Sequence, residues 1–145
     1  MNKIKLIIAV GVLALGSCKK EKDTSFTGTW KVSSKHFTAT NEGKIVFDST
    51  ADYTSGSYIV SFNEDKTYTI RHTAADNQDG VYTLSGNALT TNYMQQGKPV
   101  VAQIAYSISG NSMSLSFPER EGAYWKATGV ATPNYYKVVW NLVKQ

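Results

Sequence analysis

Beyond the first two dozen residues, the chain alternates between apolar and polar positions. "YTLSGNAL" at 82–89 and "YSISGNSM" at 106–113 place an apolar side chain at every second position, break at Ser-Gly-Asn, and resume the alternation. Side chains of an extended strand point to opposite faces in turn, so a period of two marks a strand with one buried and one wetted face. The breaks mark the turns of two hairpins, and Gly86 and Gly110, with Asn87 and Asn111, tolerate the positive φ that tight hairpin turns demand. "FNEDKTYTI" gives a third hairpin, turning over Asn63 to Lys66. The pattern predicts strands near 28–38, 43–48, 57–63, 67–73, 80–85, 88–95, 100–109, 112–118, 124–130 and 135–144. The segments 43–48 and 124–130 alternate least, so a wall of about eight strands is expected. No segment carries the 3.6-residue period of a helix.

Parity assigns the faces. One face collects Trp30, Val32, Tyr58, Val60, Phe62, Tyr68, Ile70, Tyr82, Leu84, Leu89, Tyr93, Ile104, Tyr106, Ile108, Met113, Leu115, Phe117, Tyr136, Val138, Trp140 and Leu142. The other carries Lys31, Ser61, Thr67, Thr69, Arg71, Thr83, Ser114, Ser116, Lys137 and Asn141. Antiparallel sheets with one apolar face wrap around a core. Hairpin following hairpin, with few long crossovers, predicts an all-β fold: a single antiparallel up-and-down β-barrel of about eight strands, with a Greek-key β-sandwich as the alternative. Closure also removes the sheet edges that recruit neighbouring chains.

"SFTGTWKV", residues 25–32, resembles the Gly-x-Trp opening of the lipocalin and lipocalin-like families. Downstream, "FNEDKTYTI", "GVYTLSGNALT", "YSISGNSMSLSF" and the closing "YYKVVWNLVKQ" are similar to small lipocalin-like lipoproteins of Bacteroidetes. The resemblance spans essentially Thr24 to Gln145. It implies that Gly28 turns the chain into the first strand and that Trp30 closes the barrel floor. Those families usually set an arginine of the last strand over that tryptophan. No arginine lies beyond Arg120 here, which leaves Lys137 and Lys144 as the cations able to stand in its place.

The N-terminal segment differs from all of this. Lys3 and Lys5 precede an uncharged apolar run from Leu6 to Leu15, the layout of a secretory signal. The run is too short for a bilayer, which needs roughly 20 residues. Its ending, Leu15-Gly16-Ser17-Cys18, resembles the lipobox of bacterial lipoproteins. The resemblance implies a signal peptide over 1–17, removed by cleavage, and a Cys18 acylated on both its thiol and its new amino group with palmitate-type chains. Each buried methylene contributes about 0.8 kcal/mol, and two or more chains anchor stably. A charged linker over 18–24 then leads to the domain at 25–145. The expected location is the bacterial outer membrane or cell surface, the membrane being engaged through the lipid at Cys18. Cys18 is the chain's one cysteine, so the domain has to fold without disulfides.

Charge changes the picture little. The chain carries 15 Lys+Arg against 11 Asp+Glu, and loss of Lys3 and Lys5 with the leader halves the net charge of +4. No basic cluster interleaves with aromatics beyond the linker, so nucleic acid is not an expected partner. The domain is expected to be a monomer.

Candidate chemistry is sparse. His36 and His72 share the inward parity of their strands, but no metal-ligand spacing joins them to a further histidine or to the cysteine. Asp76 and Asp79 in "ADNQDG" lack the spacing of a calcium loop, and Glu119 and Glu121 in "PEREG" read as a charged loop tip. No nucleophile elbow, phosphate loop or zinc signature appears, so no cofactor, metal or catalytic residue is assigned and no enzyme is expected. The richest signal is aromatic: 3 Trp, 9 Tyr and 5 Phe, all after the linker. Phenols among aliphatics suit a mainly apolar pocket with a few polar handles. The expectation is a small apolar or amphipathic ligand held in the barrel by Tyr58, Phe62, Tyr68, Tyr82, Tyr93 and Tyr106, with His72 as a polar handle. The alternative is a filled barrel acting as an interaction module for a protein or glycan through Tyr124, Trp125 and Tyr135. An enzyme built on His36 or His72 with a nearby carboxylate ranks last.

Overall fold

The computed structural model describes residues 26–54, 58–73, 77–122 and 132–145. Cys18 with its flanking leader and linker, the candidate strand 124–130, and Asp76, Tyr124 and Trp125 lie outside the described residues. The strands are β1 (Gly28–Asn41), β2 (Lys44–Asp52), β3 (Ile59–Phe62), β4 (Thr67–Arg71), β5 (Gln78–Ser85), β6 (Ala88–Gln95), β7 (Lys98–Ser109), β8 (Ser112–Ser116), β9 (Arg120–Glu121) and β10 (Tyr135–Lys144). All pairings are antiparallel, and β3 to β8 follow one another around the wall in chain order. β10 joins β8 on one side and β1 on the other, while β1 pairs with β3, so eight strands close into an up-and-down barrel. The barrel rather than the sandwich is the fold.

The remaining two strands stand outside the closed wall. β2, the weakly alternating segment, is a full strand of 9 residues that runs along the C-terminal half of β1 and is exposed along nearly all its length. β9 adds two residues to the start of β10. β1 makes this possible by its length: one edge takes β3 at Gly28–Lys31 and then β2 from Ser34 onward.

The handover occurs at a β-bulge. Val32 faces Leu142 and Ser34 faces Asn141 on β10, which leaves Ser33 as an extra residue. Asn141 secures it, its carbonyl accepting from the Ser33 hydroxyl at 3.0 Å and its amide donating to Ser34 Oγ at 3.0 Å. On the other edge, Tyr53 N–H donates to the Ser33 carbonyl and Val32 N–H to the Tyr58 carbonyl, which ties down the two ends of the β2–β3 connection. An extra residue in a strand with a two-residue period exchanges its faces. Before the bulge Trp30 and Val32 point inward; after it Lys35, Phe37 and Ala39 share a face with Trp140, Val138 and Tyr136 across the ladder. The inward orientation expected of His36 is therefore corrected: His36 lies on the outer surface and Lys35 takes the inner face.

The two ends of the barrel differ. At one end the short turns after β3, β5 and β7 gather, and Phe26 plugs the opening with no exposed surface, its ring 4.5 Å from that of Phe62, 5.0 Å from Tyr106 and 5.5 Å from Tyr82. Trp30, equally buried, donates its indole N–H to the Phe26 carbonyl at 3.0 Å. Lys144 on the last strand sets its ammonium 5.2 Å from the Trp30 ring centre, so the cation over the floor tryptophan is Lys144 and not Lys137. In the Ser-Gly-Asn turns only the glycines take positive φ, 57° at Gly86 and 56° at Gly110, and Asn87 and Asn111 do not. Glycine alone at the first central position is the type II′ arrangement, which needs one left-handed residue rather than two.

Gly80 is a point of close approach rather than a turn. A Cβ there would lie 2.3 Å from the Asn92 carbonyl oxygen and 2.7 Å from the Tyr68 ring, which lies across it from β4. Gly80→Ala is therefore expected to force strand or ring to move and to cost about 1–3 kcal/mol of stability, the range of overpacked cores. Urea unfolding checks this; a variant as stable as the parent would show that β5 has slack.

Candidate functional site: a cavity at the open end of the barrel

Toward the end opposite Phe26 the barrel is not filled. A cavity of about 650 Å³ opens there, within the size range of small-molecule sites. Its depths are apolar because the inward positions of five strands meet there: Val60 and Phe62 of β3, Leu89 of β6, Ala102 and Ile104 of β7, Leu115 of β8 and Trp140 of β10. Polar groups appear toward the rim, where Asn77, Gln78, Gln95, Gln96 and Arg120 line it.

Of the residues expected to line a ligand site, Tyr58, Phe62, Tyr68 and Tyr93 do so. Tyr68 accepts a short hydrogen bond from the Gln78 amide. Burial raises the Tyr68 phenol above its ordinary pKa, with the bonds to Gln78 and Thr91 opposing the shift, so the group stays a neutral hydrogen-bonding handle. Tyr82 and Tyr106 do not line the cavity. They belong to the closed end, where Tyr82 donates to the Asn63 carbonyl at 2.8 Å and Tyr106 to the Gly86 carbonyl at 2.9 Å. Both hydroxyls thus brace tight turns, and burial raises the Tyr82 pKa as well. Their parity is inward as expected; parity fixes the face of a strand but not the height along the barrel axis.

His72 sits beside the cavity without lining it. Its ring lies 4.4 Å from that of Tyr58 and 6.1 Å from Tyr53, so it buttresses a lining ring. His36 is remote from it on the outer wall, where Nδ1 meets Thr50 Oγ1 at 2.9 Å and Nε2 meets Asp48 Oδ1 at 2.9 Å. The two histidines therefore share no site. Asp79 forms an ion pair with Arg71. Among the described residues, no three His, Cys, Asp or Glu side chains gather closely enough to hold a metal ion.

Lys35 is one residue that sequence reasoning missed. Its ammonium stands 3.9 Å from the ring centre of Tyr58, 4.2 Å from that of Trp140 and 5.2 Å from that of Tyr53. Tyr58 and Trp140 stack edge to face at 5.1 Å, and Phe117 lies 4.8 Å from Trp140, so the cation caps an aromatic cluster that forms one side of the cavity. Negative ring faces attract a cation most where water is displaced. Thr91, 5 % exposed and inward by the same parity as Leu89 and Tyr93, lines the cavity and was overlooked as well, as was Arg120 at the rim.

The bulge makes neighbouring residues behave oppositely. Lys35→Ala is expected to cost about 1–2 kcal/mol through lost ring contacts and to shift the tryptophan emission by uncovering Trp140. His36→Ala removes an exposed pair and should stay within about 0.5 kcal/mol of the parent. Urea unfolding followed by fluorescence separates the two, and the reverse order would contradict the inverted face. No family model matches the chain, and neither does any curated protein or solved structure, so what the molecule does has to be read from this cavity and its rim.

Proposed function

We propose that the protein is a membrane-tethered binding protein that holds a small apolar or amphipathic molecule in its barrel and does not transform it. The observation that carries this reading is the cavity itself: about 650 Å³, apolar in its depths and polar at its rim, in a barrel whose other end is sealed by Phe26. A barrel stabilised only by filling would place side chains through its whole length. Here Phe26 and the rings around it seal one end, and the opposite end is left open. The Gly-x-Trp resemblance to lipocalin-like lipoproteins points the same way. The lipobox resemblance at Cys18 supports attachment to the outer membrane or cell surface, with the charged linker 19–24 between lipid and barrel.

Two experiments test the reading. Native mass spectrometry of protein purified from its own host should show a small molecule travelling with the barrel, and Ala102→Trp, which projects an indole into the cavity, should abolish that mass shift while leaving the β-sheet circular dichroism unchanged. A ligand retained by the filled variant would place binding elsewhere. Cys18→Ala should move the protein from the membrane fraction to the soluble one; retention in the membrane would remove the anchor.

A further inference from the structure

The rim of the cavity carries a charge asymmetry. Among the described lining residues Arg120 bears the one formal charge, and none of them carries a carboxylate. The register explains why. Arg120 pairs with Tyr136 across β9 and β10, so it shares a face with Tyr136, Val138 and Trp140, the inner face. Glu121 pairs with Tyr135 and falls on the opposite, outer face. Glu119 lines a separate depression on the outer wall together with Lys137. The two acids that flank Arg120 in sequence are therefore turned away from the cavity.

Two other cations near this end are committed differently. Arg71 is bound to Asp79, and Lys35 rests on the rings of Tyr58, Trp140 and Tyr53. The Arg120 guanidinium makes no ion pair or side-chain hydrogen bond among the described residues. A guanidinium presents a rigid fork of donors matched to two oxygens of one anionic group. Around the same rim, the Gln78, Gln95 and Gln96 amides can donate to an oxyanion without adding charge.

From this arrangement we infer that the ligand is an anionic amphiphile, its chain in the apolar depths and its carboxylate or comparable acid head at Arg120. The inference rests on the binding reading above and narrows it to one chemical class. A neutral apolar ligand would leave the guanidinium without a role, and a cationic one would be repelled by it.

The test is a calorimetric comparison of laurate, 1-dodecanol and dodecyltrimethylammonium, all below their micelle concentrations, on the parent protein and on Arg120→Gln and Lys35→Gln. The parent should bind laurate roughly tenfold more tightly than dodecanol, the scale of a charge-assisted hydrogen bond at a partly wet rim, and the ammonium compound most weakly. Arg120→Gln should remove the laurate preference, and Lys35→Gln should preserve it. Equal affinity for laurate and dodecanol on the parent overturns the inference while leaving the cavity reading intact. Loss of the preference in Lys35→Gln but not in Arg120→Gln overturns the assignment of the head to Arg120. Failure of all three compounds to bind removes both the cavity reading and the inference built on it.

Discussion

Antiparallel pairing between the first strand and the last holds the structure together. β10 runs along β1 from Trp30 to Thr40, and without that ladder the meander β3 to β8 would be an open sheet with apolar residues on one face and bare backbone at both ends. The ladder spans almost the whole domain in sequence, so it can form only after loop-closure entropy has been met by local hairpins. Three of those hairpins turn at one end of the barrel, and that is the end Phe26 and Trp30 seal. Closure and floor are thus coupled: the strand that begins with the floor tryptophan is the strand that shuts the wall, and Lys144 reaches back over the same indole from the partner strand.

Above the floor, geometry and chemistry divide along the barrel axis. Rings that brace turns, such as Tyr82 and Tyr106, spend their hydroxyls on backbone carbonyls and leave no polar group for a guest. Rings one or two turns of the pleat higher, such as Tyr58, Tyr68 and Tyr93, border open space. A cavity forms there because several inward positions are modest in size, among them Thr91 and Ala102. Apolar depths remove a ligand from water, and polar rim groups fix its orientation.

Much of this was legible from alternation alone. The inner face read from parity matches the residues that pack together, from Trp30 on β1 to Leu142 on β10, because a strand with one wet face cannot conceal its period. Phe26 escaped because it precedes the first strand and so has no parity. The orientation of His36 was misread because Ser33 inserts one residue where the sequence shows only an ordinary Ser-Ser pair, and nothing local distinguishes a bulge from a regular step. Height along the axis was equally invisible: identical inward tyrosines become floor or wall according to register. β2 alternates poorly because it has no buried face to encode.

The bulge also gives the molecule a modular upper storey. Everything below Ser33 is fixed by the floor, whereas the set of β1 side chains presented to the mouth depends on a single inserted position. Running Ser33 into the regular ladder would send Lys35 outward and bring His36 to the inner face opposite Val138, exchanging a permanent cation for a titratable imidazole while the sealed end stayed as it is. A descendant scaffold could therefore change what it admits by ironing out one bulge, with no need to rebuild its foundation.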